Sequence, residues 1–238
     1  MSTDAILELE DVQFGWDEQS RLIGIDRFRV GRGESVFLRG PSGSGKSTLL
    51  GLIGGVIMPD VGRILLSGVD IAAQRSSDRD RLRVDHMGVI FQQFNLLPYL
   101  SVLDNVTLPC LFSAKRRAAS RERFSAPAQE AVDLITRLGL SAAVVDTAVN
   151  KLSVGQQQRV AVARALIGSP ELIIADEPTS ALDADNRDRF IKLLDEQRRA
   201  SNASLLFVSH DRALASHFDR IVELEDLNRS ASLVATAQ

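Results

Sequence analysis

Short apolar runs separated by glycine and charged residues recur along the chain, and they predict a set of buried strands. Their lengths suit strands better than helices, and they are flanked by residues that favour turns. We predict strands at residues 6–12, 35–39, 87–91, 172–175, 205–208 and 221–224. Residues 63–71 alternate around Ser67 and Gly68, which predicts a hairpin within an N-terminal antiparallel β region.

Helical patterns occupy the stretches between these runs. Helix-forming residues are found at 46–53, 114–138, 155–167 and 184–199, whereas residues 75–85 mix both charges and predict a solvated helix or loop. Strands that alternate with helices predict an α/β fold with a mainly parallel sheet. A block of residues with a mainly helical pattern, 97–165, interrupts this alternation. We therefore expect one domain with an inserted α-helical subdomain. We place the core at residues 1–92 and 166–238 and the insertion at 93–165.

Composition and charge narrow the class of protein without revealing its function. The chain has 238 residues, of which 45% are hydrophobic and 25% charged, as in ordinary globular domains. A net charge of −3 provides no basic excess for binding nucleic acid. No apolar run approaches the roughly 20 residues of a membrane-spanning helix, and no signal peptide follows Met1. Cys110 is the single cysteine and cannot form an internal disulfide. We therefore expect a soluble protein of a reducing compartment.

One segment carries a phosphate-binding sequence between a predicted strand and a predicted helix. It matches the pattern G-x-x-x-x-G-K-[ST] and consists of Gly40, Pro41, Ser42, Gly43, Ser44, Gly45, Lys46, Ser47 and Thr48. Glycines let the backbone curl so that successive N–H groups face one anion, and the following helix adds the positive end of its dipole. Lys46 is predicted to reach the β- and γ-phosphates of a nucleotide, and the Ser47 hydroxyl to ligate Mg²⁺.

Two carboxylates follow the strand predicted at 172–175. In P-loop enzymes an aspartate at the end of a strand holds Mg²⁺, which predicts that role for Asp176. Glu177 then lies where a carboxylate can polarise an attacking water as a general base. Acidic residues also end strands that have no catalytic role, so the interpretation of this pair depends on the phosphate loop upstream.

A third segment narrows the field of P-loop proteins to one family. Residues 151–161 read Lys-Leu-Ser-Val-Gly-Gln-Gln-Gln-Arg-Val-Ala and resemble the Leu-Ser-Gly-Gly-Gln signature of the ATP-binding cassette family. Other matches follow in the family's order. Trp16 resembles the family's adenine-stacking aromatic, and Gln92 resembles its Q-loop glutamine. Asp183 resembles the D-loop aspartate, and His210 resembles the switch histidine. The resemblance spans about residues 7–224 and implies a P-loop NTPase core of the RecA-like type.

The resemblance implies a physical role for each of these side chains. Trp16 would offer a π-face to the adenine ring, with Phe14 as the alternative aromatic. Gln92 would approach Mg²⁺ and the attacking water and relay the nucleotide state to the helical block, with Gln93 as the alternative. His210 would hydrogen-bond the γ-phosphate. The remaining histidines match no family motif and are expected to be structural: His86 and His217.

The signature also implies a homodimer. Ser153, Val154, Gly155 and Gln156 begin a helix whose N-terminus can donate to an anion. In the family that anion is the γ-phosphate held by the other subunit's phosphate loop, so two ATP molecules lie between head-to-tail chains, and Asp183 acts across the interface. ATP contacts both chains and ADP lacks the γ-phosphate, so hydrolysis would be coupled to opening of the dimer.

One signature residue departs from the family pattern. Val154 replaces the first glycine of the usual pair. Its N–H remains, but a β-branched residue resists a positive φ and adds bulk at an interface. Because the other catalytic positions are intact, we expect a working ATPase with an altered dimer affinity.

Residues 91–106 resemble the ATPases of lipoprotein-release and macrolide-export transporters. The resemblance implies export, a separate integral-membrane permease with a large extracytoplasmic domain, and a peripheral location on the cytoplasmic face of the inner membrane. Two interpretations are open for the apolar segment that follows the Q-loop: the core of the helical block, or a groove for a cytoplasmic helix of the permease. Its residues are Phe94, Leu96, Leu97, Pro98 and Tyr99.

The alternative is a cassette ATPase that acts on nucleic acid or the ribosome. Members of that kind carry long coiled coils, two cassettes in one chain or cysteine zinc sites, and the sequence has none of these features. A small-molecule kinase would share the phosphate loop but would not need the signature segment. We therefore expect transport and no nucleic-acid partner.

Overall fold

The computed structural model describes residues 4–17, 20–180 and 182–229, which form two compact units. The first unit takes its residues from Met1–Arg83 and Ser204–Gln238, and the second from Val84–Ala203. The insertion predicted at 93–165 falls within the second unit, which is wider at both ends. The boundaries of that insertion stay a prediction.

The described residues contain nine strands and eight α-helices. The strands are β1 (Ala5–Asp17), β2 (Ser20–Gly31), β3 (Ser35–Arg39), β4 (Val61–Leu66), β5 (Val69–Asp70), β6 (Met87–Ile90), β7 (Leu172–Asp176), β8 (Ser204–Ser209) and β9 (Arg220–Glu223). The helices are α1 (Lys46–Ile53), α2 (Ser76–His86), α3 (Val102–Phe112), α4 (Ala114–Arg123), α5 (Pro127–Arg137), α6 (Val154–Leu166), α7 (Ala184–Ala200) and α8 (Leu224–Leu227). Short 3₁₀ helices lie at Ala142–Val144, Val149–Lys151 and Arg212–His217.

An antiparallel sheet in the first unit follows the order β2-β1-β4-β5. Leu9 of β1 lies opposite Phe28 of β2 and Ile64 of β4, and these three side chains are buried. The β4–β5 hairpin turns at Ser67 and Gly68, whose φ angles of 50° and 78° suit a tight two-residue turn. The predicted hairpin and antiparallel β region are therefore present.

Parallel strands form the other sheet of the first unit. Strand β3 pairs in parallel with both β8 and β9. Phe37 of β3 stacks on Phe207 of β8 with ring centroids 6.0 Å apart, and both rings contact Phe218. Phe37 and Phe207 are fully buried, which fixes β3, so the loop that leaves its carboxyl end starts from a rigid position.

The second unit combines a parallel strand pair with a helical group. Strand β6 pairs in parallel with β7, and helix α3 packs against α4, α5 and α6. Helix α6 is buried along much of its length, through Val160, Ala161, Val162 and Ala163. The predicted α/β class, with parallel strands, an antiparallel N-terminal region and a helical block, is confirmed.

Two helical features bear on the sequence expectations. Helix α2 buries none of its residues, as expected for the charged segment at 75–85. Among the described residues, every helix is too short or too polar to cross a bilayer.

Candidate functional site

The phosphate loop is shaped by glycines that adopt a conformation unfavourable to other residues. Gly43 and Gly45 have φ angles of 81° and 92°. Gly45 is the N-cap of α1 and contributes no side-chain cap, and a Cβ there would approach Ile23 Cδ1 to 3.1 Å. The first amides of a helix have no intrahelical acceptor, so those of α1 remain available to an anion.

The polar side chains of the loop are arranged around this helix start. Lys46 is buried, and its Nζ donates to the carbonyl oxygens of Gly40 and Pro41 at 2.8 Å each. Ser47 is exposed, so its hydroxyl is accessible to a metal ion. Ser44 Oγ is buried without a hydrogen-bond partner among the described residues. These groups fit a phosphate chain with Mg²⁺.

Exposure separates the two aromatic candidates for the adenine ring. Trp16 is 68% exposed, whereas Phe14 is 7% exposed. The rings meet edge to face, with centroids 5.1 Å apart and planes at 85°. Phe14 therefore packs against Trp16 from the buried side, and the Trp16 ring is the one accessible to a ligand.

The three histidines lie in different environments. His210 is exposed directly after β8, next to a turn in which the Asp211 N–H donates to Ser209 Oγ at 3.2 Å. His217 is half-buried at the end of a 3₁₀ helix. His86 Nδ1 lies 2.9 Å from Glu171 Oε1, which Lys115 also contacts. The contacts that His86 and Lys115 both make with Glu171 support the structural role expected for His86.

The carboxylate pair lies in the second unit. Asp176 is the last residue of β7, and both it and Glu177 are half-buried. Glu177 has a φ of 43°, a left-handed conformation that is uncommon for a residue with a side chain. Gln158 of α6 donates through Nε2 to the carbonyl of Pro178 at 2.8 Å, which fixes the backbone just after Glu177.

Gln92 and Gln93 follow β6, and both are exposed, so burial does not separate them. The residues of the apolar segment that follows these glutamines differ in their exposure. Phe94 is buried, whereas Tyr99 is 75% exposed. One part of the segment therefore belongs to the core, and Tyr99 stands on the surface.

The signature segment forms the start of α6. Ser153 is the N-cap, and a reciprocal capping box links its hydroxyl and backbone to Gln156. Val154 is 55% exposed as the first helical residue, and it has no positive φ. The concern that valine would resist the backbone conformation is therefore wrong, because a helical residue needs no positive φ; only the added bulk remains. A Cβ on Gly155 would meet nothing within 4 Å, and its φ is not positive either.

A cavity of about 520 Å³ brings the start of α6 together with Asp183 inside the second unit. Residues from the end of α5, the start of α6 and the first turns of α7 line it, including Gly139, Val154, Gly155, Asp183 and Phe190. The predicted D-loop comprises residues 180–183, of which Ala181 lies outside the described residues.

Asp183 caps helix α7. The Asn186 N–H donates to Asp183 Oδ1 at 2.9 Å, and Asn186 Nδ2 donates to Oδ2 at 2.8 Å. The backbone hydrogen bond from Asn186, helped by the side-chain one, holds the pKa of the Asp183 carboxyl below its usual value. The carboxylate is therefore engaged within its own chain as a helix cap.

The predicted site residues are distributed over both units. The phosphate loop, Trp16 and His210 belong to the first unit. Gln92, the signature residues, the carboxylate pair and Asp183 belong to the second, where the structure brings Val154, Gly155 and Asp183 to one cavity.

Comparison with known proteins identifies the family. A profile described as "ABC transporter" matches residues 25–180, more than half of the chain. This chain belongs to the ATP-binding cassette transporter family. As a member, it is an ATP-binding domain of the ATPase type.

Relatives with this cassette include the lipoprotein-releasing system ATP-binding protein LolD of Anaeromyxobacter dehalogenans. It is 44% identical over 205 residues, which cover 86% of this chain and 82% of LolD. The macrolide export ATP-binding/permease protein MacB of Shewanella sp. (strain ANA-3) is 41% identical over 197 residues, 83% of this chain. The matched part is only 29% of the length of MacB.

A solved structure has the same fold. The ATP-binding cassette MJ0796, in a dimeric post-hydrolysis state bound to ADP and Pi, superposes with a TM-score of 0.78 at 32% identity. The match covers 94% of this chain and 95% of that one.

In this cassette, the described residues form no cluster of three or more His, Cys, Asp or Glu that could hold a metal ion. Mg²⁺ commonly binds through one or two protein oxygens together with nucleotide phosphates. The Ser47 hydroxyl and the Asp176 carboxylate are each an oxygen donor of the kind that Mg²⁺ prefers.

Three side chains that fix the backbone near Gln92 and Glu177 were not predicted from the sequence. They are Arg116 and Arg164, which donate to main-chain carbonyls on both sides of Gln92, and Gln158 beside Glu177. Arginine and glutamine on a helix resemble solvated residues, so the sequence carried no signal for these contacts.

Proposed function

We propose that this chain is the ATP-hydrolysing subunit of a transporter of the export or lipoprotein-release type. Two copies would bind two ATP molecules, each held by the phosphate loop of one copy and the start of α6 of the other. Closure on ATP and opening after hydrolysis would drive a separate membrane permease.

The observation that carries this proposal is the open start of α6. Gly155 needs neither a positive φ nor the space beside it for packing within the described residues. The capping box uses the Gln156 N–H and leaves the first amides of the helix without an intrahelical acceptor. A helix end left open in this way suits a phosphate brought by another molecule.

Each site residue has a role in this proposal. Lys46 would exchange its loop carbonyls for phosphate oxygens, and Ser47 would ligate the metal, with Asp176 holding its water shell. When bound, Mg²⁺ neutralises charge on the phosphates. Glu177 would take a proton from the attacking water as general base.

The remaining side chains would sense and orient the nucleotide. Trp16 would stack on adenine. Gln92 would approach the metal and the attacking water, and His210 would hydrogen-bond the γ-phosphate. Asp183 would act across the dimer interface.

We also propose the partners and location that the relatives suggest. MacB is named as an ATP-binding/permease protein and LolD as part of a lipoprotein-releasing system. A permease, with a large extracytoplasmic domain, would hold this chain at the cytoplasmic face of the inner membrane. The exposed Tyr99 and half-buried Leu97 would lie in its docking surface.

The test is the Mg²⁺-ATPase activity of the chain with its co-purified permease, together with gel filtration in ATP. We expect Lys46→Ala to abolish hydrolysis. Glu177→Gln should slow hydrolysis by about 10²-fold or more while retaining ATP, because it lacks the general base, and should elute as a dimer.

Two outcomes would contradict the proposal. One is wild-type activity no higher than that of Lys46→Ala. The other is a Glu177→Gln protein that stays monomeric in ATP although the wild type hydrolyses normally.

A further inference from the structure

Two arginines hold the backbone on both sides of Gln92. Arg116 lies on α4 and Arg164 on α6, and neither belongs to a motif that binds nucleotide. Each donates to main-chain carbonyls rather than to a carboxylate. Their partners lie before Gln92, at Met87, and after it, at Phe94 and Asn95.

Arg116 joins the start of β6 to the end of α6. Its Nη1 donates to the carbonyl of Met87 at 3.2 Å, its Nη2 to that of Ala165 at 2.7 Å and its Nε to that of Ile167 at 2.8 Å. The side chain is fully buried, and burial lowers its pKa to about 10, so the guanidinium stays charged at neutral pH. A planar fork with fixed donors can satisfy separated carbonyls at once.

The backbones of β6 and α6 touch at the same junction. A Cβ on Gly88 would lie 2.1 Å from the Ala165 carbonyl oxygen, so only glycine allows this approach. Strand β6 therefore rests directly on the last turn of α6, and a displacement of one displaces the other.

Arg164 makes the second connection, on the other side of Gln92. Its Nη2 donates to the Phe94 carbonyl at 2.5 Å and its Nη1 to the Asn95 carbonyl at 2.6 Å. Phe94 and Asn95 have φ angles of 59° and 48°, and the left-handed conformation is costly for an aromatic residue. The guanidinium thus stabilises a strained turn that follows the Q-loop glutamine.

We propose that Arg116 and Arg164 are positioning residues that fix the segment carrying Gln92 to helix α6. Gln92 and the signature start of α6 then respond to nucleotide as one body. This inference rests on the proposed function, in which Gln92 and the start of α6 both take part in hydrolysis. The arginines themselves touch no reacting atom.

The test compares Arg164→Met and Arg164→Lys with a control, Arg198→Met. Arg198 is also a buried arginine of the second unit, but its ion pair is with Asp195 of its own helix α7. The readouts are steady-state ATPase kinetics below the unfolding temperature and hydrogen exchange of residues 91–97 and 153–157. Arg116→Met is a second variant measured in the same way.

We expect Arg164→Met to lower kcat about tenfold or more, because a small misplacement of a catalytic group is costly. The KM for ATP should change by no more than about twofold, since the phosphate loop is untouched. Arg164→Lys should recover part of kcat, because an ammonium reaches one carbonyl well but lacks the planar fork. In the wild type, ATP should protect both segments from exchange; in Arg164→Met it should protect only 153–157.

Unchanged kcat in Arg164→Met, or an equal loss in Arg198→Met, would overturn the inference. If the wild type itself neither hydrolyses ATP nor responds to it, the proposed function fails. Hydrogen exchange measured without nucleotide then tests whether Arg164 fixes the segment that carries Gln92. Faster exchange at 91–97 in Arg164→Met then supports the fixing role, and unchanged exchange overturns it.

Discussion

The chain contains two glycine-bearing helix starts, and they use glycine for different reasons. At the start of α1, Gly43 and Gly45 have positive φ angles, so the fold itself requires glycine there. At the start of α6, Gly155 has no positive φ and an empty space where a Cβ would be. The first helix begins without a side-chain cap, whereas the second has a complete capping box at Ser153.

Within the proposed function, this difference distinguishes a phosphate loop that binds its anion alone from a helix start that contacts a second molecule. The phosphate loop bends through its two positive-φ glycines, and Lys46 donates to the carbonyls of Gly40 and Pro41. The α6 start is stable on its own, and its glycine keeps space that the described residues do not use. Within the proposed function, a substitution in the loop should harm folding and nucleotide binding, and one at α6 should harm association alone.

The largest effect is expected for Gly45→Ala. An alanine would have to adopt a φ near 92° with its Cβ 3.1 Å from Ile23, so we expect a loss of about 2 kcal/mol in the free energy of unfolding. Binding of a fluorescent ATP analogue should be lost as well, because the amides would turn away from the phosphates. Urea unfolding and analogue titration measure the two effects. Wild-type stability and binding would show that the loop does not depend on this conformation.

Gly155→Ala is the matched substitution at the other helix start. Alanine is a better helix former than glycine, so the free energy of unfolding should stay constant or rise by up to about 1 kcal/mol. Within the proposed function, dimerisation in ATP should nevertheless weaken by about tenfold or more, since a methyl group would enter the space that the partner subunit approaches. Sedimentation of Glu177→Gln with and without Gly155→Ala measures this. An unaltered dimer would mean that nothing approaches Gly155 closely.

The contrast also explains how much could be predicted from the sequence. Strand β3 and helix α1 occur at the predicted residues 35–39 and 46–53, because the glycines between them encode a local turn. Strand β2 was not predicted. Gly24 and the charges at Asp26, Arg27 and Arg29 weaken its pattern, and its stability comes from pairing with β1.

Features assembled from distant residues escaped prediction for the same reason. The cavity beside Asp183 forms only when the end of α5 meets the starts of α6 and α7. The buried Arg116 lies in an arginine-rich helix that resembles a solvated one, and only tertiary packing turns its guanidinium toward three carbonyls. Sequence motifs therefore identified the groups assigned to chemistry, but not the groups that hold them in place.

Val154→Gly tests whether the departure from the family signature matters. The free energy of unfolding should fall by roughly 0.5 kcal/mol, because glycine is the poorer helix former. The affinity of the ATP-bound dimer should rise by a few-fold, about 1 kcal/mol or less, since an exposed β-branched side chain is removed from the proposed interface. Sedimentation of Glu177→Gln with and without Val154→Gly measures the affinity. A weaker dimer would show that valine contributes favourable contacts there.

The smallest effect concerns the cap at Asp183, where pH provides the probe. The hydrogen bonds from Asn186 lower the pKa of Asp183 in the folded chain. Its stabilising contribution is therefore fully present above the unfolded value, near 3.9, and is lost as the pH falls through the lower folded value. Asp183→Asn keeps a capping oxygen but cannot titrate.

Plotted against pH, the urea midpoints of the two proteins should therefore follow parallel curves between about pH 7 and 5. Below about pH 4 the midpoint of the wild type should fall more steeply than that of Asp183→Asn. The group is fully exposed, so salt should reduce its interaction with the dipole of α7. Parallel curves down to pH 3 would mean that this carboxylate is not held by Asn186 in solution. Asp183 would then be free to turn toward a second subunit, and the α7 cap would no longer limit what the D-loop can contact.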